Sequence, residues 1–142
     1  MATYESGQGR YQREVTQNMI DALNFVQKRW TRLSRLATVM VHSCRPESEP
    51  DSHGIYGGLM IPGSKYVHVI DGPKGTIGGF VETIVEELLH KRQERRIPPD
   101  QYEIRAREQR FMLYEDKPFE IDANRGAATA RKRYQKMSQN TF

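Results

Sequence analysis

Residues 77–95 read IGGFVETIVEELLHKRQER, and no other stretch of the 142-residue chain separates apolar from charged side chains so cleanly at helical spacing. Phe80, Val81, Ile84, Val85, Leu88 and Leu89 fall at i, i+1, i+4, i+5, i+8 and i+9, which on a helix makes one wide apolar stripe. Such a stripe needs a core to face, so the other elements are expected to pack on this one. Glu82, Glu86 and His90 recur at i, i+4 and i+8 on a second face, with Glu87 one residue round from Glu86. Two carboxylates and an imidazole are thereby gathered within one turn. The plainest account of them is electrostatic: Glu86 with His90 and Glu87 with Lys91 are i, i+4 pairs, each worth roughly 0.2 to 0.5 kcal/mol.

Toward the N-terminus, DGPKGT (71–76) is a turn in which Thr76 is a suitable N-cap. Its glycines do not form a phosphate loop, because Lys74 precedes Gly75 instead of following a glycine pair. GIYGGLMIP (54–62) and KYVHVID (65–71), separated by Gly63 and Ser64, read as an antiparallel hairpin. Gly57 and Gly58 inside its first strand suggest a bulge or the close approach of another backbone. TVMVHSC (38–44) alternates and is rich in β-branched residues, which predicts a strand with Val39 and Val41 on one face. Over residues 10–37, Val15, Met19, Leu23, Val26, Trp30, Leu33 and Ala37 advance by three or four, the pattern of one long amphipathic helix. Residues 1–9 are expected to be ordered only by docking, and 138–142 to be loosely ordered.

Downstream, IPPD (97–100) ends the central helix because proline cannot continue it. Asp100 is expected to cap a helix running to about Tyr114, and residues 118–139 form a last helix whose alanines permit close packing. The whole is one α+β domain over residues 1–142: a long N-terminal helix, a small three-stranded, mainly antiparallel sheet, the central helix and two C-terminal helices.

No apolar run approaches the length of roughly 18 residues that suggests a membrane span, and the N-terminal residues have no apolar signal-type segment, so a cytoplasmic protein is expected. The single Cys44 excludes an internal disulfide and reads as a buried, inert thiol. His42, His53 and His68 show no metal-ligand spacing and are expected to be structural. The net charge of +4 is uneven: residues 123–142 carry five basic and no acidic side chains. Arg131, Lys132 and Arg133 offer a route to nucleic acid, but a solvated helix face is the preferred reading, since no nucleic-acid-binding signature accompanies them.

Two segments carry a resemblance. Glu86-Glu87-Leu88-Leu89-His90 resembles the HExxH helix of zincin metallopeptidases with glutamate in place of the first histidine, and Gln93 fits an HExxHxxQ variant common in phage-encoded members. Pro118-Phe119-Glu120-Ile121-Asp122-Ala123-Asn124 resembles the glutamate-bearing segment that supplies the third ligand in gluzincins, including ImmA/IrrE-like peptidases. The order of elements agrees over residues 10–135.

The resemblance implies a zincin-like fold of phage or mobile-element type. It also implies a zinc site with His90, Glu120 and Glu86 as ligands, Glu87 as general base and Asn124 supporting the ligands. Two histidines one turn apart normally hold the ion, with a third protein ligand and a water. Glutamate at 86 adds negative charge, which weakens the acidification of bound water. The expectation is therefore a degenerate site with weak or absent zinc, reduced or lost catalysis, and action by binding a protein or peptide partner. An active divergent metallopeptidase and a basic nucleic-acid-associated protein are the alternatives.

Overall fold

The computed structural model describes residues 4–6, 14–45, 47–98, 101–113 and 117–139. In chain order the elements are β1 (Tyr4–Ser6), α1 (Gln17–Arg29), α2 (Thr31–Ser34), β2 (Thr38–Ser43), β3 (Gly58–Met60), β4 (Tyr66–Asp71), α3 (Ile77–Arg96), α4 (Gln101–Gln109) and α5 (Pro118–Gln139). The chain is α+β, with five helices and a small mixed sheet among the described residues.

α3 starts where Thr76 caps it, its hydroxyl accepting from the Gly79 N–H at 3.0 Å. It stops at Arg96, with Ile97 extended ahead of Pro98. The helix touches α1, α2, α5, β3 and β4. Phe80, Val81, Ile84, Val85 and Leu88 are at most 2% exposed, so the apolar stripe does face the core. The opposite side is covered as well: Thr83, Glu87, His90, Lys91 and Gln93 are all buried, which gives the polar residues enclosed surroundings.

Four expectations are corrected. The sheet has four strands in the order β1-β2-β4-β3, with β1 parallel to β2, β2 parallel to β4, and only β3–β4 antiparallel. Alternation records which face a side chain shows, not which way its strand runs. β3 returns at the far edge and β4 fills the gap, antiparallel to β3 and therefore parallel to β2. Second, part of the 1–9 segment is a strand, since Tyr4 to Ser6 pair with Val39 to Val41. Third, the 10–37 helix is two helices. Trp30 leaves helical geometry at φ −121° and ψ 62°, yet Leu33 and Ala37 stay in the core, so the spacing of apolar residues does not register the break. The fourth helix also falls short of its expected end near Tyr114: it stops at Gln109, and residues 110–112 form a turn, while Asp100 and Tyr114 themselves lie outside the described residues.

α1 begins at a cap with two functions. The Thr16 hydroxyl accepts from the Met19 N–H at 3.2 Å and donates to Asp71 Oδ1 at 2.6 Å, while the Thr16 N–H donates to Asp71 Oδ2 at 2.8 Å. Asp71, the last residue of β4, is fully buried and ties the sheet to the start of α1.

Candidate metal centre

Helical geometry places positions 86, 87 and 90 within one turn of α3. Glu86, Glu87 and His90 each offer a ligand atom, and the three atoms lie within 4.8 Å of one another. Glu120, in the first turn of α5, joins them from 30 residues away, its Oε2 lying 3.2 Å from His90 Nε2. The structure thus brings Glu86, His90 and Glu120 together despite their separation in sequence. Glu120 reaches the cluster through the His90 ring and is not one of the tight trio.

His90 is oriented from behind. Its Nδ1 lies 2.9 Å from Gln93 Oε1, and the Gln93 amide nitrogen donates to the Phe119 carbonyl at 2.9 Å and to Asp122 Oδ2 at 3.1 Å. Both amide hydrogens are therefore engaged and the Gln93 oxygen accepts, so the hydrogen on His90 sits at Nδ1. Nε2, facing Glu120, carries a second hydrogen only when the ring is cationic. Burial alone pushes the imidazole down. The Glu120 hydrogen bond and charge, with Gln93 and Glu87 adding to them, outweigh it and bring His90 up to about 9.

Glu87 is 7% exposed, and burial pushes its carboxyl up to about 7, with Glu86 and Glu120 reinforcing that push and His90 opposing it. Its room comes from Gly58 on β3, where an added β-carbon would meet Glu87 Cγ at 2.9 Å and the His68 carbonyl oxygen at 3.0 Å. The close approach expected at Gly57 and Gly58 is found at Gly58, from the backbone of β4 and the Glu87 side chain, whereas the nearest atom at Gly57 is Ile70 Cδ1 at 3.9 Å. Lys91 turns the other way, its Nζ on the Ser64 carbonyl at 2.5 Å and Glu94 Oε2 at 2.9 Å. The Glu87–Lys91 surface pair is accordingly not formed.

A cleft of about 350 Å³ opens onto the cluster, lined among others by Gly58, Leu59, Glu86, Glu87, His90 and Tyr102. Tyr102 stacks on Phe119 with ring centroids 4.8 Å apart and 10° between planes. Burial, then the charges of Glu120, Glu94 and Glu87, push its hydroxyl up to about 12.

Other expectations fall out differently. Asn124 is half-buried one turn beyond Glu120 and its side chain forms no hydrogen bond with a described residue; the residue that steadies His90 is Gln93. An i, i+3 glutamine was legible as the signal for it, whereas nothing local marks Tyr102. Arg131 faces inward, donating to Glu82 Oε2 at 3.0 Å and to the His53 carbonyl at 3.1 Å, while Lys132 and Arg133 are exposed. His42 Nε2 and His68 Nδ1 lie 2.9 Å apart on adjacent strands, and Cys44 is half-buried. No helix is long and apolar enough to cross a membrane among the described residues.

The cluster's donors, one imidazole nitrogen and several carboxylate oxygens, fit a divalent cation of the oxygen-preferring kind and accommodate zinc less well than two imidazoles would. No protein-family model matches this chain, and neither a curated protein nor a solved structure matches it.

Proposed function

We propose that this chain is a zincin-like domain with a degenerate metal site, whose peptidase activity is reduced or lost and which works by binding a protein or peptide partner in the cleft beside β3. The main support is the composition of the cluster around His90: three carboxylates, Glu86, Glu87 and Glu120, and one imidazole. Glu86, His90 and Glu120 would hold the ion, and Gln93 would keep the Nε2 lone pair of His90 aimed at it. A bound ion supplies Lewis acidity, and each added carboxylate reduces it. Without the ion, the His90–Glu120 pair satisfies both partners. The exposed Leu59, 56% accessible at the cleft wall, gives an apolar contact for a partner.

A second reading is favoured by one observation. Glu87 is buried within one turn of His90 and lines the cleft, where its carboxylate could take a proton from a water on the ion, as an active divergent metallopeptidase requires.

Metal content and chelator competition on wild type and His90→Ala, run beside a general peptidase assay, separate the two. Weak zinc and no cleavage are expected. Tight zinc abolished by His90→Ala, together with cleavage in the wild type, replaces the first reading by the second.

A further inference from the structure

A groove of about 370 Å³ lies on another side of α3, between the α1–α2 junction and α5. Its floor is apolar and buried, formed by Leu33, Val85 and Leu89. Gly126 lies directly over Leu89, and a β-carbon there would sit 2.3 Å from Leu89 Cδ1, so a larger residue would require the Leu89 side chain to shift. Half-buried Trp30 stands at one wall, and Arg92, Arg125 and Arg133 reach the rim.

None of these three arginines forms a salt bridge with a described residue. Among the described residues, the carboxylate lining the groove is that of Asp122, which accepts from Gln93. Arg125, Thr129 and Arg133 follow at i, i+4 and i+8 on one face of α5. The two guanidinium groups leave the helix about 12 Å apart along its axis, close enough for long side chains to meet over a group lying between them.

We propose that this groove binds a nucleotide: the flat base against Trp30 and the apolar floor, the phosphate in the forks of Arg92, Arg125 and Arg133. Guanidinium groups match phosphate oxygens in pairs, an indole face stacks on any base, and the groove, with its mixed polar and apolar lining, has the size of a small-ligand site. The same chemistry is offered by a free nucleotide and by the end of a single strand. The site is separate from the His90 cluster and does not rest on the metallopeptidase-like reading.

Trp30 is the chain's single tryptophan, so its fluorescence reports on the groove without labelling. The probes are ADP, a 5′-phosphorylated oligodeoxythymidylate, adenosine and inorganic phosphate, titrated into wild type, Arg125→Ala, Arg133→Ala and Arg125→Lys. Saturable quenching is expected with ADP or the oligonucleotide, and which of them binds tighter identifies the source. Adenosine is expected to bind at least tenfold more weakly than ADP. Arg125→Ala and Arg133→Ala, both at exposed positions, should each weaken binding about tenfold with the far-ultraviolet dichroism unchanged, and Arg125→Lys should fall between. No saturable quenching by either nucleotide probe, affinity unchanged in both alanine variants, or calorimetric binding without any change in Trp30 emission would overturn the proposal.

Discussion

Gln93 accepts the Nδ1 hydrogen of His90 across 2.9 Å, and because both its amide hydrogens are bound to α5, it fixes the ring relative to two helices at once. The orientation of the candidate ligand is therefore a property of the α3–α5 contact, and breaking that contact should change the titration of His90.

Gln93→Leu removes the acceptor behind Nδ1 and both donors toward α5. The His90 pKa should drop below about 9, because a hydrogen bond that favours the cation is lost. Unfolding free energy should fall by about 1–3 kcal/mol, the usual consequence of stranding buried polar groups. Proton NMR titration of the ring and urea denaturation measure the two effects; an unmoved His90 pKa would contradict the arrangement.

The pH dependence of stability follows from the same ring. Its folded-state pKa lies above the ordinary 6.5, so the stabilisation is fully present below about 6.5 and is lost as pH rises through about 9. Glu87 acts in the same direction over a lower window: its carboxyl is raised from 4.5 to about 7, so folding loses stability as pH rises between those values. In chelator-treated protein the melting temperature should decline from pH 6.5 to 9, and His90→Gln should flatten that decline. Parallel declines in the two proteins would show that another group is responsible.

Glu86→His places an imidazole one turn from His90. Zinc affinity should rise at least tenfold, about 1.4 kcal/mol, and adding His90→Ala should cancel the gain. Competition with a chromogenic chelator measures this. Absence of zinc from wild type and both variants would count against the zincin assignment.

Much of this was legible in the sequence. The α3 stripe, the Thr76 cap and the α5 span follow from side-chain periodicity and capping chemistry, which are local. The proximity of Glu120 to His90 came only from a resemblance between short segments. The parallel β2–β4 pairing, the break at Trp30 and the stacking of Tyr102 on Phe119 were not legible, because each depends on backbone direction or on a distant neighbour. Asp71 shows the limit most clearly. It reads locally as a turn residue, yet its carboxylate is fully buried on Thr16, 55 positions away.

That contact yields a stability prediction. Asp71→Ala should cost several kcal/mol, since it strands the Thr16 N–H and hydroxyl beside a buried void, whereas Thr16→Ala should cost nearer ~1–2 kcal/mol. The double variant should lose less than the two single losses added together. Additive losses in denaturant titrations would mean that the two residues act independently.

The position of β4 between β2 and β3 bears on how the chain folds during synthesis. β2 is complete at Ser43 with β1 available on one side, but the partner for its other edge, β4, begins only at Tyr66, and the anchor for the start of α1 is Asp71. The N-terminal half therefore emerges from the ribosome with an open strand edge and a helix whose docking site does not yet exist. Assembly of the sheet is a late, collective event governed by long-range pairing, and an arrested chain ending before residue 66 should remain open to proteases throughout.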